Sequence, residues 1–197
     1  MNYLNSNSAR IILVLIGVLL IYGCNPKVIP PSASNYSKGD NQITIDKSFE
    51  EIWPALIEFS STSFFVIRNF EKDSGLLTLD FSTDPSEFID CGSLEVPLYN
   101  YNGPTISAFE RWGYAELDGS MNVFVKPISP NVTQISVNAR YVFTGNSGGE
   151  GEQVWTFDTG GSDTKPIGVV SITCQPTHKA ENAILQGIEQ ASQEPNT

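Results

Sequence analysis

Between Gln134 and Thr144 the chain alternates without a break. Ile135, Val137, Ala139, Tyr141 and Phe143 fall on one parity, and Gln134, Ser136, Asn138 and Arg140 on the other. A period of two is that of an extended strand, whose successive side chains point to opposite faces. Sustained over this length, it demands a sheet with one dry face and one wet face. That is the habit of antiparallel sheets, because parallel ones are covered on both sides. A β-rich run, Met121 to Ile128, precedes it across Ser129-Pro130-Asn131, a turn composition, so the two segments read as a hairpin.

A dry face has to be covered, and the rest of the chain supplies the covers. After a short strand at Gln42–Asp46, Ser48-x-x-Glu51 has the form of a capping box. Phe49, Ile52, Trp53, Leu56 and Ile57 then recur at helical spacing. Pro54 interrupts that pattern, which predicts a kink or a helix beginning near Trp53. Phe64–Phe70 and Leu76–Phe81 form a second apparent hairpin around Gly75, and Gln153–Phe157 is a further strand. From about His178 a helix carries a narrow stripe of Ala180, Ala183, Ile184, Gly187, Ile188 and Ala191, suited to close packing. Thr83–Gly119 shows no period and is expected to be irregular. The order predicts an α+β fold, an antiparallel sheet with one face covered by two helices, in a single domain over residues 42–191 with a tail at 192–197.

The other end of the chain reads as a targeting segment. Ile11–Ile21 is apolar apart from Gly17, follows Arg10, and is about half the length that spans a bilayer. It closes on Ile21-Tyr22-Gly23-Cys24, which resembles the lipobox of bacterial lipoproteins. That resemblance implies a signal peptide over residues 1–23, removed before Cys24, and a diacylglycerol on the Cys24 thiol. Two or more acyl chains anchor a protein stably, at about 0.8 kcal/mol per buried methylene. Asn25 rather than Asp follows the cysteine, which in lipoproteins of this kind points to the outer membrane with the domain facing the periplasm. Residues 24–41, with Pro26, Pro30 and Pro31 among Ser and Asn, read as a lipidated tether of extended reach near 55 Å, at about 3.3 Å per residue.

Three cysteines less one for lipid leave Cys91 and Cys174, most simply a disulfide in an exported protein. The formal charge of −11 repels phosphate backbones, so nucleic acid is not an expected partner. The one histidine, His178, and two distant cysteines make no metal cluster, and no cofactor is implied.

Ile43-Thr-Ile-Asp-Lys-Ser-Phe-Glu-Glu-Ile-Trp53, Phe64-Phe-Val-Ile67 and Asp73-Ser-Gly-Leu-Leu-Thr78 together resemble the strand–helix–hairpin opening of BamC-like outer-membrane lipoproteins. The resemblance implies a helix-grip fold, with the Trp-bearing helix and the final helix on the sheet, and a non-enzymatic role supporting an envelope protein partner.

Two other readings compete with it. A helix-grip cavity would suit a carrier of a lipid or small apolar ligand. Phe157-Asp158-Thr159-Gly160-Gly161 resembles the catalytic turn of aspartic proteases, with Asp73-Ser74-Gly75 as its partner, and such an enzyme needs the two carboxylates a few Å apart sharing a proton. Turn propensity accounts for both Asp-x-Gly motifs, so no catalytic residue is expected. Gly145–Gly151 is glycine-rich but acidic and leads into a strand, unlike a phosphate cradle. Tyr99, Tyr101, Phe109, Trp112 and Tyr114 crowd the aperiodic segment, where exposed aromatics would form an interface.

Overall fold

The computed structural model describes residues 25–33, 37 and 39–193; the expected signal peptide, Cys24, residues 34–36 and 38 and most of the expected tail lie outside them. The chain runs through β1 (Lys27–Ile29), β2 (Gln42–Ile45), α1 (Phe49–Thr62), β3 (Val66–Glu71), β4 (Leu76–Thr83), α2 (Pro85–Phe88) and β5 (Ile89–Asp90). It continues through β6 (Ser93–Val96), a 3-10 turn (Pro97–Tyr99), β7 (Tyr101–Pro104), α3 (Thr105–Trp112), β8 (Tyr114–Ser129) and β9 (Val132–Asn146). Then come β10 (Glu152–Asp158), β11 (Asp163–Ile167), β12 (Val170–Pro176) and α4 (Lys179–Gln193).

The alternating segment is the spine. β8 and β9 pair antiparallel from Tyr114↔Asn146 to Ser129↔Val132, and β4 then β3 extend the sheet on the β8 side. The far side of β9 is shared: β2 lies along Thr133–Ser136 and β10 along Arg140–Asn146. Ile135, Val137, Ala139, Tyr141 and Phe143 are all buried, as are Leu77, Leu79 and Phe81 of β4, Leu117, Met121, Val123 and Val125 of β8, and Trp155 and Phe157 of β10. Each large apolar side chain taken from water here stabilises the fold by roughly 1.5–3 kcal/mol. The fold is α+β, and among the described residues no helix is long and apolar enough to cross a membrane.

α1 and α4 cover the dry face with Ile52, Trp53, Leu56, Ile184 and Ile188. A third helix, α3, joins them through Ile106 and Phe109, which the expectation of two helices missed. α1 is continuous through Pro54. The capping box fixes its first turn: the Ser48 N–H donates to the Glu51 carboxylate at 2.9 Å, and hydrogen bonds from the Ser48 side chain and backbone hold that carboxyl below the usual range. The one bond that Pro54 removes, to Glu50, falls in a turn already held at its other end. The β3–β4 hairpin turns at Gly75 as expected. There φ is 68°, and a Cβ would stand 2.1 Å from the Val125 carbonyl oxygen, so only glycine fits.

Three other expectations are corrected. The aperiodic stretch at 83–119 is ordered throughout, carrying α2, β5, β6, β7, α3 and the start of β8. Residues 163–176 form a further hairpin, β11–β12, which pairs on to β5. Residues 25–33 are not a free tether: β1 pairs with β6, which pairs with β7 in a small separate sheet.

Candidate functional site

Next to the small sheet, a disulfide staples the end of β5 to β12. Cys91 follows β5 and Cys174 lies in β12; both are buried and they are bonded, with Cα atoms 4.1 Å apart. β1 closes over this corner. The Ser32 N–H donates to the Asp90 carboxylate at 3.2 Å, and the Gln175 side chain donates to the Ser32 carbonyl at 2.6 Å. Val28 packs against the core.

From this platform the β6–β7 hairpin projects. Its 3-10 turn puts Leu98 and Tyr99 at the tip, 69% and 62% exposed, and Asn100 takes up the left-handed conformation that turns the chain back. Behind the tip stands Trp112, at the end of α3, with the rings of Tyr99 and Tyr101 at 5.6 Å and 5.0 Å. The Arg111 guanidinium lies 5.9 Å from the Tyr101 ring, within cation–π range. Burial raises the Tyr101 phenol above its ordinary value, Arg111 opposing, and its hydroxyl donates to the Pro104 carbonyl. Three of the five suspected interface aromatics thus form one ridge. Phe109 does not: it is buried edge-on to Phe143 and Trp155, and is a core residue. Tyr114 is tied across the sheet by a hydrogen bond to the Glu152 carboxylate, which also raises its phenol. Leu98 was missed; an apolar residue beside proline in a turn is its only signal.

A second cluster is closed. Glu181, in the first turn of α4, has no exposed surface. The Tyr141 hydroxyl donates to one carboxylate oxygen at 2.6 Å and the Thr159 hydroxyl to the other at 2.7 Å. His178 stands beside it, its Nδ1 3.7 Å from the same carboxylate. Burial and the Glu181 charge push the Tyr141 phenol far up, so it stays a donor. The group clamps α4 to β9 and to the turn after β10.

The two Asp-x-Gly motifs are not brought together. Asp73 lies beyond the Leu76↔Phe124 row and Asp158 in the Ser120↔Arg140 row, four residues along and three strands across. At about 3.3 Å per residue and 4.8 Å per strand, that is about 20 Å. No His, Cys, Asp and Glu group among the described residues is arranged to hold a metal.

Beneath α4 the space is filled. A Cβ on Gly187 would meet the Phe59 ring at 2.1 Å, and Ile184, Ile188 and Tyr141 have no exposed surface.

The outer edge of the main sheet is open. Among the described residues β3 pairs only with β4, and Val66 and Phe70 on it are 64% and 59% exposed. Compared with known proteins, the chain matches no family model, no curated protein and no solved structure.

Proposed function

We propose that the protein is an outer-membrane lipoprotein, anchored through Cys24 and facing the periplasm, that works by binding another protein rather than by chemistry. The β3 edge carries the binding half of this reading. Among the described residues its outward row of backbone N–H and C=O groups has no strand beside it, and Val66, Phe70 and neighbouring Phe64 offer it apolar cover. Edges of this kind accept an added strand, with main-chain bonds supplying affinity and alternate side chains the specificity. The bulge between Ile67 and Asn69 bends the edge, which favours a short partner strand over a long one.

The likeness of the strand–helix–hairpin opening to BamC-like lipoproteins supports the same role, and the lipobox-like segment ending at Cys24 supports the anchor. A dyad of Asp73 and Asp158 lacks the required proximity, and a carrier lacks room beneath α4.

Site-specific photo-cross-linking in the native envelope tests it. Cross-linkers at Val66 and at Phe70 in the full chain are expected to yield one adduct of the same mass, absent with the cross-linker at exposed Glu189. Adducts no different from those at Glu189 would overturn the edge as the site.

A further inference from the structure

β1 fixes where the chain comes from. Its register on β6 is antiparallel, Lys27↔Glu95, Val28↔Leu94 and Ile29↔Ser93. Followed backwards from Lys27, the chain therefore runs alongside Val96 towards the hairpin tip. Cys24 is only three residues from Lys27, about 10 Å at full extension. Leu98 is three residues beyond Glu95, in the same direction. The described chain that leads back towards the residue resembling a lipid-bearing cysteine and the exposed apolar tip of the small sheet's hairpin thus share one corner of the molecule.

We propose that this tip is a membrane-docking surface, with Leu98 and Tyr99 seated in the headgroup region of the bilayer that holds the Cys24 acyl chains. The inference rests on the lipoprotein reading and adds an orientation to it. The composition suits that place. Tyr and Trp carry an apolar ring with a polar edge and favour the membrane–water boundary, and Leu98 at the apex adds an apolar side chain on its acyl side. Exposed Arg111 stands behind the tip and Lys27 beside it, both able to reach lipid phosphate, while Glu95 and Glu110 keep the corner from being strongly cationic. The ridge therefore fits a largely zwitterionic surface. A weak contact suffices, because the anchor has already made the encounter intramolecular.

The tryptophans provide the test. Trp53 and Trp155 are buried, so quenching from the bilayer reads Trp112. The lipidated full chain is placed in vesicles of phosphatidylethanolamine and phosphatidylglycerol carrying a doxyl group either near the headgroup or deep in the acyl chain. The shallow probe is expected to quench more strongly than the deep one. That quenching should vanish in Trp112→Phe and fall in the double variant Leu98→Ser, Tyr99→Ser, whose N-terminal peptide still carries lipid by mass. A lipidated protein whose Trp112 is unquenched and open to aqueous iodide would overturn the docking surface while leaving the anchor intact. Trp112 shielded only when an envelope protein is added would overturn it in favour of a protein interface. An N-terminal peptide without lipid would sink the anchor itself, and the docking proposal with it.

Discussion

Glu181 is the residue with most at stake, because a carboxylate with no exposed surface is tolerable only while its acceptors are used. Tyr141 and Thr159 occupy one oxygen each, and Thr159 in turn receives the Ala139 N–H at 2.7 Å. Glu181→Gln keeps the shape but aims an amide N–H₂ at a hydroxyl donor, so it should cost about 1–3 kcal/mol, read as a lower urea midpoint at unchanged slope. Tyr141 gives the cluster a pH dependence of definite sign. Its folded pKa is raised by burial first and by the Glu181 charge next, so the stability it contributes is complete below the unfolded value of about 10 and is lost as the pH climbs above it. In an alkaline ultraviolet titration of the tyrosines, the Tyr141 phenolate should therefore appear only with unfolding. A Tyr141-dependent phenolate signal from protein that is still folded would contradict this. Exposed Asp158 is the contrasting case: Asp158→Asn should move stability by no more than about 0.5 kcal/mol. Loss of a measurable peptidase activity in that variant, with unchanged melting, would reinstate the hydrolase.

At the scale of elements the helix–helix contact is the most exacting. Gly187 in α4 receives the Phe59 ring of α1 so closely that a Cβ would overlap it, which is why the small-residue stripe exists. Gly187→Leu should destabilise by about 1–3 kcal/mol by overpacking, and adding Phe59→Ala should recover part of that loss. Additive losses in chemical denaturation would show that the two do not share the space. The Cys91–Cys174 bond closes a separation of 83 residues, and reducing it should cost about 4.5 kcal/mol in the chain-entropy picture. A peptide map with both thiols free would remove that staple. The elements legible in the sequence were those long enough to show a period: β9 by alternation, and α1 and α4 by helical spacing and a cap. β5, β6, β7 and β1 are too short to alternate more than once. Prolines did the rest. Pro26, Pro30 and Pro31 read as a tether but flank an edge strand, Pro104 sits in the stretch without a period yet ends β7 and caps α3, and Pro166 lies on the edge strand β11. For the candidate site, the aromatic crowding around residue 100 was visible in composition. That Phe109 turns inward while Tyr99, Tyr101 and Trp112 meet outside depends on α3, the short helix that follows Pro104.

On the scale of the whole molecule, β1 decides how the domain stands. With the proposed anchor at Cys24, a free tether would let it roam up to about 55 Å from the membrane, whereas a paired β1 leaves only Asn25 and Pro26 between the strand and Cys24. The aromatic ridge adjoins the end of the sheet where β8 starts and β9 finishes; Phe70 lies near the other end, beside the Leu77↔Val123 row. Nine residues of β8, from Tyr114 to Val123, separate the two levels, about 30 Å at 3.3 Å per residue. With the ridge on the bilayer, the β3 edge would be lifted towards the periplasm by the length of the sheet itself, at a set height that a flexible tether does not give. Hydrogen exchange on the lipidated protein in vesicles distinguishes the two arrangements. The amides of Lys27–Ile29 are expected to be protected along with those of β6. Val28→Pro, which breaks an edge strand only, should abolish protection in β1 and weaken it in β6 while β9 and α4 stay protected. Residues 25–33 exchanging as fast as a free chain in the parent protein would mean that β1 is not held, and the domain would again be a body on a long leash with no preferred face.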